Sequence, residues 1–424
     1  MNQKLHTPEG VRDIYNNECK IKYALQEKLK DTLHLYGYQD IQTPTFEYID
    51  VFRKEIGTIS VQELYKFFDR DGNILALRPD ITPSVARAAA TLFETEDVPI
   101  RLCYAGNTFI NHSSYQGRLK ENTQLGAELI GEDSVSADAE MLAMVIDGLK
   151  KTGLKEFQVS VGHVDFIQSL MEATELDEEQ REELHTLITN RNYFGVEEIL
   201  DTCGVKAEIK EAFRLLPELV GGPEIMEEAV KIAPTAEAKL AIVRLLQIYK
   251  LLALYGETEH ITFDLSMSGS YGYYTGIIFR AYTYGTGDAV VRGGRYDHLL
   301  EKFGKSTPSI GFAIILDELM SALNRQKIAV ETSPVNLIVC TEETEGWAIS
   351  LAKDFRAKGK CIELHKRENS GSDTDAAKEK ERFIQYGKRM NAVSMLYLRD
   401  DKHIDMVNLR TGEEKTVDAS KSKN

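Results

Sequence analysis

The sequence predicts an α+β chain of more than one domain, and three observations carry that reading. Short runs of strand character punctuate residues 38–161 and return over 261–323. Between them, residues 165–255 turn helical, with apolar spacing at Leu245, Leu246, Ile248, Leu251, Leu252 and Leu254 and many Glu and Lys. After a linker at 331–334, a strand, a helix and a strand suggest a small α/β domain over 335–424.

Taken in order, residues 14–36 carry a helical pattern that ends near Tyr36-Gly37. Residues 38–46 read as a short strand containing Pro44. Residues 75–87 read as a strand that breaks at Pro79 and passes into a helix opened by Pro83. Strands follow at 100–105 and 157–161 and, beyond the helical stretch, at 261–264, 277–284 and 289–292. Residues 310–323 read as a strand and then a helix. In the last domain, strands 337–340 and 361–364 flank a helix at 348–358. Residues 369–375 read as a polar loop, and 415–424 as a frayed tail.

A chain of 424 residues can bury a substantial core in two or three domains. Its 42% hydrophobic and 28% charged content suits a soluble globular protein. No apolar run approaches the roughly 18 residues a membrane span needs, so no membrane segment is expected. The N-terminal MNQKLHTPEGVRD lacks the apolar region of a signal peptide, which points to the cytoplasm. The five cysteines are scattered and form no CxxC pair, so reduced thiols are expected, without zinc or disulfides. A net charge of −16 suits a solubilising surface and weighs weakly against nucleic acid, tRNA included.

Each candidate motif has a bland reading when taken alone. Gly293-Gly294-Arg295-Tyr296-Asp297 can be a tight turn. Tyr273 and Tyr274 can be core tyrosines beside turn glycines. Asp80, Thr82 and Arg87 can be a helix cap and a surface charge. Gln124 and Glu128, four apart, can face solvent. Their order and spacing are what make them specific. LRPDIT (77–82), GRLKENTQLGAELIG (117–131), YYTG (273–276), GGRYD (293–297) and IGFAIILDEL (310–319) resemble the successive signatures of the histidyl-tRNA synthetase family. Thr43-Pro44 with Glu47 resembles motif 1, the dimer element of class II synthetases. The resemblance covers nearly the whole chain. It implies a class II aminoacyl-tRNA synthetase-like antiparallel sheet flanked by helices over 1–330, with a helical insertion at 165–256. It also implies that the C-terminal α/β domain, 335–424, is placed like an anticodon-binding domain.

The departures from that family lie where ATP is handled. The Phe-Arg-x-Glu frame of motif 2 reads Phe109-Ile110-Asn111-His112 here, without the arginine that holds the α-phosphate. The motif 3 arginine that meets the γ-phosphate is matched by Glu318, a reversal of charge. The synthetase arginine that neutralises the amino acid's carboxylate is matched by Ser268, with one extra residue before Tyr273-Tyr274. Removing one donor to developing charge costs about 2.7–4 kcal/mol, so adenylation is not expected and no catalytic residue is assigned; no metal or cofactor is expected either. The amino-acid pocket is retained. Asp80, Thr82, Gln124, Glu128, Tyr273 and Tyr274 match residues that hold histidine, Glu128 and Tyr274 serving the two imidazole nitrogens. Asp80 stands where the synthetases have a glutamate, one methylene longer.

This combination resembles the regulatory subunit family of ATP phosphoribosyltransferase. The resemblance implies a non-catalytic subunit that dimerises through the motif 1 region, binds and activates the short-form catalytic subunit, and mediates histidine feedback. Nothing in the chain resembles a diphosphate-binding loop or a P-loop. Alternative readings are a histidine–tRNA ligase or another synthetase-like amino-acid-binding protein.

Overall fold

The computed structural model of the chain describes residues 3–53, 59–112, 118–268, 273–368 and 373–418. Helix α1 (Asn16–Leu35) buries Leu25, Leu29 and Leu33, spaced four apart on one face. Residues 38–46 do not form a single strand. They yield β1 (Gln39–Asp40) and, in another sheet, the start of β2 (Phe46–Tyr48). The break follows from hydrogen bonding. Pro44 has no N–H for a ladder, and the carbonyls of Thr43 and Pro44 accept from the Arg78 guanidinium instead.

Strands β2, β4 (Ile74–Leu77) and β3 (Lys66–Phe68) make a small antiparallel sheet. After β4 the chain turns through Asp80 into α2 (Thr82–Leu92), with Pro83 in the first turn, where its missing N–H costs nothing. The main sheet also takes in β5 (Ile100–Phe109), β6 (Glu121–Ile130), β7 (Phe157–His163), β8 (Val220–Gly221), β9 (Ile261–Asp264), β10 (Ile277–Thr283), β11 (Val291–Arg295) and β12 (Ser309–Ile315). Among the described residues its order is β1-β5-β6-β12-β11-β10-β7-β9-β8. The run from β5 to β7 is antiparallel, while β1 on β5 and β7 on β9 are parallel.

Gly293 and Gly294 are strand residues rather than turn residues, paired with Phe312 and Gly311. Space explains their identity. A Cβ on Gly293 would sit 2.4 Å from the Phe279 ring, and one on Gly294 would sit 2.8 Å from the Tyr274 ring. Helix α3 (Val135–Thr152) packs on the sheet behind a Ser134 cap whose side chain accepts from the Ala137 N–H. Residues 164–255 hold α4 (Val164–Glu172), α5 (Glu178–Thr189), α6 (Tyr193–Thr202), α7 (Ala207–Leu215), α8 (Ile225–Ile232) and α9 (Ala236–Tyr255), with β8 among them. Helix α10 (Leu316–Arg325) follows β12 directly.

The chain divides into two compact units, 1–13 with 25–330 and 14–24 with 331–424. In the second, β13 (Val335–Cys340), β14 (Cys361–Lys366), β15 (Ser394–Leu398), β16 (His403–Asn408) and β17 (Glu414–Asp418) run in the order β14-β13-β15-β16-β17. Helices α11 (Glu345–Ala357) and α12 (Asp373–Arg389) accompany them. The sequence pattern anticipates only the first strand, helix and strand of this unit. It also expects a frayed tail from 415, whereas 414–418 pair with β16. Of the expected loop at 369–375, residues 369–372 lie outside the described residues.

Candidate functional site

The upper face of the main sheet is floored by small residues. Period-two alternation turns Gln124, Gly126 and Glu128 of β6 to one face, and register places Ile315, Ala313 and Gly311 of β12 beside them. Gly294 of β11 continues the row from Gly311. The glycines are required, because a Cβ on Gly311 would lie 1.5 Å from the Glu128 carboxylate and one on Gly126 would lie 2.6 Å from the Tyr104 hydroxyl.

Above this floor opens a cavity of about 370 Å³. The structure brings Asp80, Thr82, Gln124, Tyr273 and Tyr274 to its wall. Asp80 is buried at the start of α2, its Oδ1 accepting from the Ile81 N–H at 2.8 Å and its Oδ2 from the Tyr273 hydroxyl at 3.3 Å. Burial pushes its carboxyl above the usual range. Tyr273 packs at 4.9 Å from Tyr274 and edge-on to Tyr296 at 5.9 Å. Gln124 is only 8% exposed, and its amide oxygen has no hydrogen-bond partner among the described residues. A buried acceptor in this condition is the mark of a wall built for a polar occupant.

Glu128 is placed differently from the other five. It is 0% exposed and lies under the wall rather than among the residues that line the cavity. Its Oε1 accepts from Thr82 Oγ1 at 2.7 Å and from the Tyr104 hydroxyl at 3.1 Å, and its Oε2 accepts from the Tyr296 hydroxyl. Three neutral donors do not offset the loss of water, and burial pushes the carboxyl up to about 8. Near neutral pH it is largely a neutral acid, whose proton lies on one of these three hydrogen bonds so that the hydroxyl there accepts.

Ile110, His112, Arg118, Asp288, Arg292 and Glu318 line the other end of the same cavity. Glu318 sits in the first turn of α10, half-buried, and desolvation together with Asp288 raises its carboxyl above the usual range. His112 is lowered by its burial, with Glu63 at 3.8 Å acting the other way. Ser268 is not part of the lining. Its hydroxyl shares a 2.7 Å hydrogen bond with Thr189 Oγ1 of α5. The extra residue expected next to it falls in 269–272, outside the described residues.

Below the Tyr273–Tyr274 turn, Arg295 of the GGRYD run is 2% exposed. Its Nη2 lies 2.6 Å from Asp138 of α3, whose other oxygen accepts from Arg244 of α9 at 2.7 Å. The Arg295 carbonyl accepts from the Thr275 N–H at 2.8 Å, so this ion cluster also fixes the turn. Sequence reasoning missed the parts played by Tyr104, Tyr296 and Arg292. A signal existed for two of them: alternation from Gly294 carries Arg292 to the cavity face, and Tyr296 belongs to the GGRYD run itself. Elsewhere, ligand-type atoms of His34, Asp40 and Cys103 converge, but Lys30 Nζ already lies 2.8 Å from Asp40. Among the described residues no helix is long and apolar enough to cross a membrane.

The family model described as Histidyl-tRNA synthetase matches residues 10–319. The ATP phosphoribosyltransferase regulatory subunit of Acetivibrio thermocellus is 37% identical over 98% of both chains. That of Ruminiclostridium cellulolyticum is 35% identical over 96% of this chain and 95% of its own. A Bacillus halodurans crystal structure titled as an ATP phosphoribosyltransferase regulatory subunit/histidyl-tRNA synthetase is 33% identical. It covers 88% of this chain and 96% of its own, with a TM-score of 0.78. Histidyl-tRNA synthetase from Nostoc shares the fold, at 17% identity, 99% and 98% coverage and a TM-score of 0.79.

Proposed function

The chain belongs to the ATP phosphoribosyltransferase regulatory subunit family, within the histidyl-tRNA synthetase family, and from that we propose that it serves as the non-catalytic, histidine-sensing subunit of a short-form ATP phosphoribosyltransferase. One observation carries this reading beyond the family. A single cavity keeps a polar set suited to an amino acid at one end and has Ile110 and Glu318 where phosphate cations would stand at the other. The Glu318 and Asp288 carboxylates stand beside Arg118 and Arg292 at that end, so it lacks the excess of cations that a triphosphate needs.

In this reading Asp80, Thr82, Gln124 and Tyr273 receive the ammonium, Tyr274 serves the imidazole edge, and Glu128 acts from beneath by fixing the Thr82 hydroxyl. The partner supplies the chemistry, and the protein works in the cytoplasm with it. A second copy of the chain covers the small sheet. Phe46, Tyr48 and Phe67 share one face of it by register and expose 51%, 58% and 37% of their surface, and Phe46 and Phe67 pack edge to face at 5.6 Å. Such an apolar face needs a cover.

Mixing the purified protein with a short-form ATP phosphoribosyltransferase tests the assignment. A hetero-oligomer on gel filtration and a rise in turnover that histidine suppresses are expected. Separate elution at micromolar concentration overturns the partner. Histidine-dependent exchange of pyrophosphate into ATP is expected at background, and robust exchange would restore the ligase reading. Tyr48→Glu is expected to shift the homodimer toward monomer in sedimentation.

A further inference from the structure

We propose that Arg292 is the carboxylate-binding residue of the cavity, so that an α-amino acid is held as a zwitterion across three strands of the sheet. This rests on the reading of the cavity as an amino-acid site. Arg292 precedes Gly294 by two residues on β11 and therefore faces the cavity, which it lines. Its register partner on β12 is Ala313, and Ala313 in turn pairs with Gly126 on β6. Both are too small to fill the space above them. Gln124 stands one pleat further along β6 on the same face. Strand spacing of about 4.8 Å and a rise of about 3.4 Å per residue separate the Cα atoms of Arg292 and Gln124 by roughly 12 Å. An amino acid bridges that distance when one side chain reaches in from each end.

The charges are arranged to match. The buried Asp80 marks the ammonium end and the Arg292 guanidinium stands across the floor from it; Asp288 Oδ2 accepts from Arg292 Nη2 and sets its orientation, and Glu318 lines the cavity near them. Arg280 of β10 stands directly opposite Arg292 in register. Like charges opposed across a strand pair are destabilising, and the Asp288 carboxylate paired with Arg292 offsets that repulsion. Arg280 reaches the Ser268 carbonyl at 3.4 Å, and Ser268 turns its hydroxyl to Thr189. The cation for a carboxylate thus rises from the sheet floor at Arg292, not from the loop position that Ser268 occupies.

Calorimetry with histidine and with histamine, which has the imidazole and ammonium but no carboxylate, tests this on wild type, R292M, R292K and R118M. Wild type is expected to prefer histidine by about 10- to 100-fold, the worth of one charge-assisted contact. R292M should lose that preference and keep its histamine affinity. R292K should fall between, because an ammonium is a point charge and not a fork. A wild-type preference retained in R292M overturns the inference, as does a preference lost in R118M but not in R292M. Wild type that binds both ligands equally also overturns it, and decides the matter if R292M does not fold. Wild type that binds neither removes the amino-acid reading itself, and this inference with it.

Discussion

Glu128 and Asp138 are both shut off from solvent, at 0% exposure, and their neighbours could hardly differ more in charge. Glu128 meets three hydroxyls, and with no cation to favour its ionised form its carboxyl rises to about 8. Asp138 lies between two guanidiniums, Arg295 at 2.6 Å and Arg244 at 2.7 Å. Burial by itself therefore says little about role. The acid with neutral donors sits under a cavity and can exchange a proton near physiological pH. The acid with charged donors ties α3, β11 and α9 together; burial raises its carboxyl too, but Arg295 and Arg244 act against that rise.

The comparison breaks first on pH. The Glu128 carboxyl is raised on folding from 4.5 to about 8, so the native state holds its proton more tightly than the unfolded chain. Its stabilising contribution is complete below about pH 4.5 and is lost as pH rises through 8, a change of about 4–5 kcal/mol at 1.36 kcal/mol per unit. Urea unfolding of wild type relative to Glu128→Gln should show that slope, and parallel curves would place Glu128 with Asp138. Next, Arg295→Met leaves Asp138 with Arg244 alone and should cost about 3–5 kcal/mol in the same assay. A loss under about 1 kcal/mol would mean that one arginine is enough.

Histidine affinity sharpens the contrast. Glu128→Ala strips three hydroxyls of their acceptor and should weaken histidine binding by one to two orders of magnitude, about 1.5–3 kcal/mol. Asp138→Asn should act on stability far more than on ligand affinity at a temperature where it is folded. Equal affinity of Glu128→Ala and wild type in calorimetry would make Glu128 a structural remnant. The smallest effect belongs to the helix that delivers Asp138. Ser134→Ala removes the cap of α3 and should lower stability by about 1 kcal/mol, read from the urea midpoint.

Much of this was legible because it depends on local rules. Pro83 announced the start of α2, Gly37 the end of α1, and short apolar runs many strands of the main sheet, though not β6, which carries Gln124 and Glu128. The site set was legible because LRPDIT, motif 2 and YYTG retain their order and spacing. Strands β15–β17 and α12 were not legible. The helix is rich in Asp, Lys and Glu, and of the strands β15 depends on pairing with β13, distant in sequence, before β16 and β17 can add to it. The split of 38–46 also escaped notice, since it turns on a guanidinium supplied by Arg78 from thirty-odd residues away.

Taken alone, the amino-acid order determined the α+β class and, through the resemblance it carries, named five residues that line the cavity, because both depend on which residue types stand at which spacing. Only the tertiary structure decided that Glu128 lies beneath the cavity, that Ser268 turns away to Thr189, and that Arg292 faces inward beside Gly294. The physical reason is that strand register and burial are set jointly by several distant segments. Whether a carboxylate is exposed, neutralised or left protonated depends on which of those segments brings a donor, and of what charge.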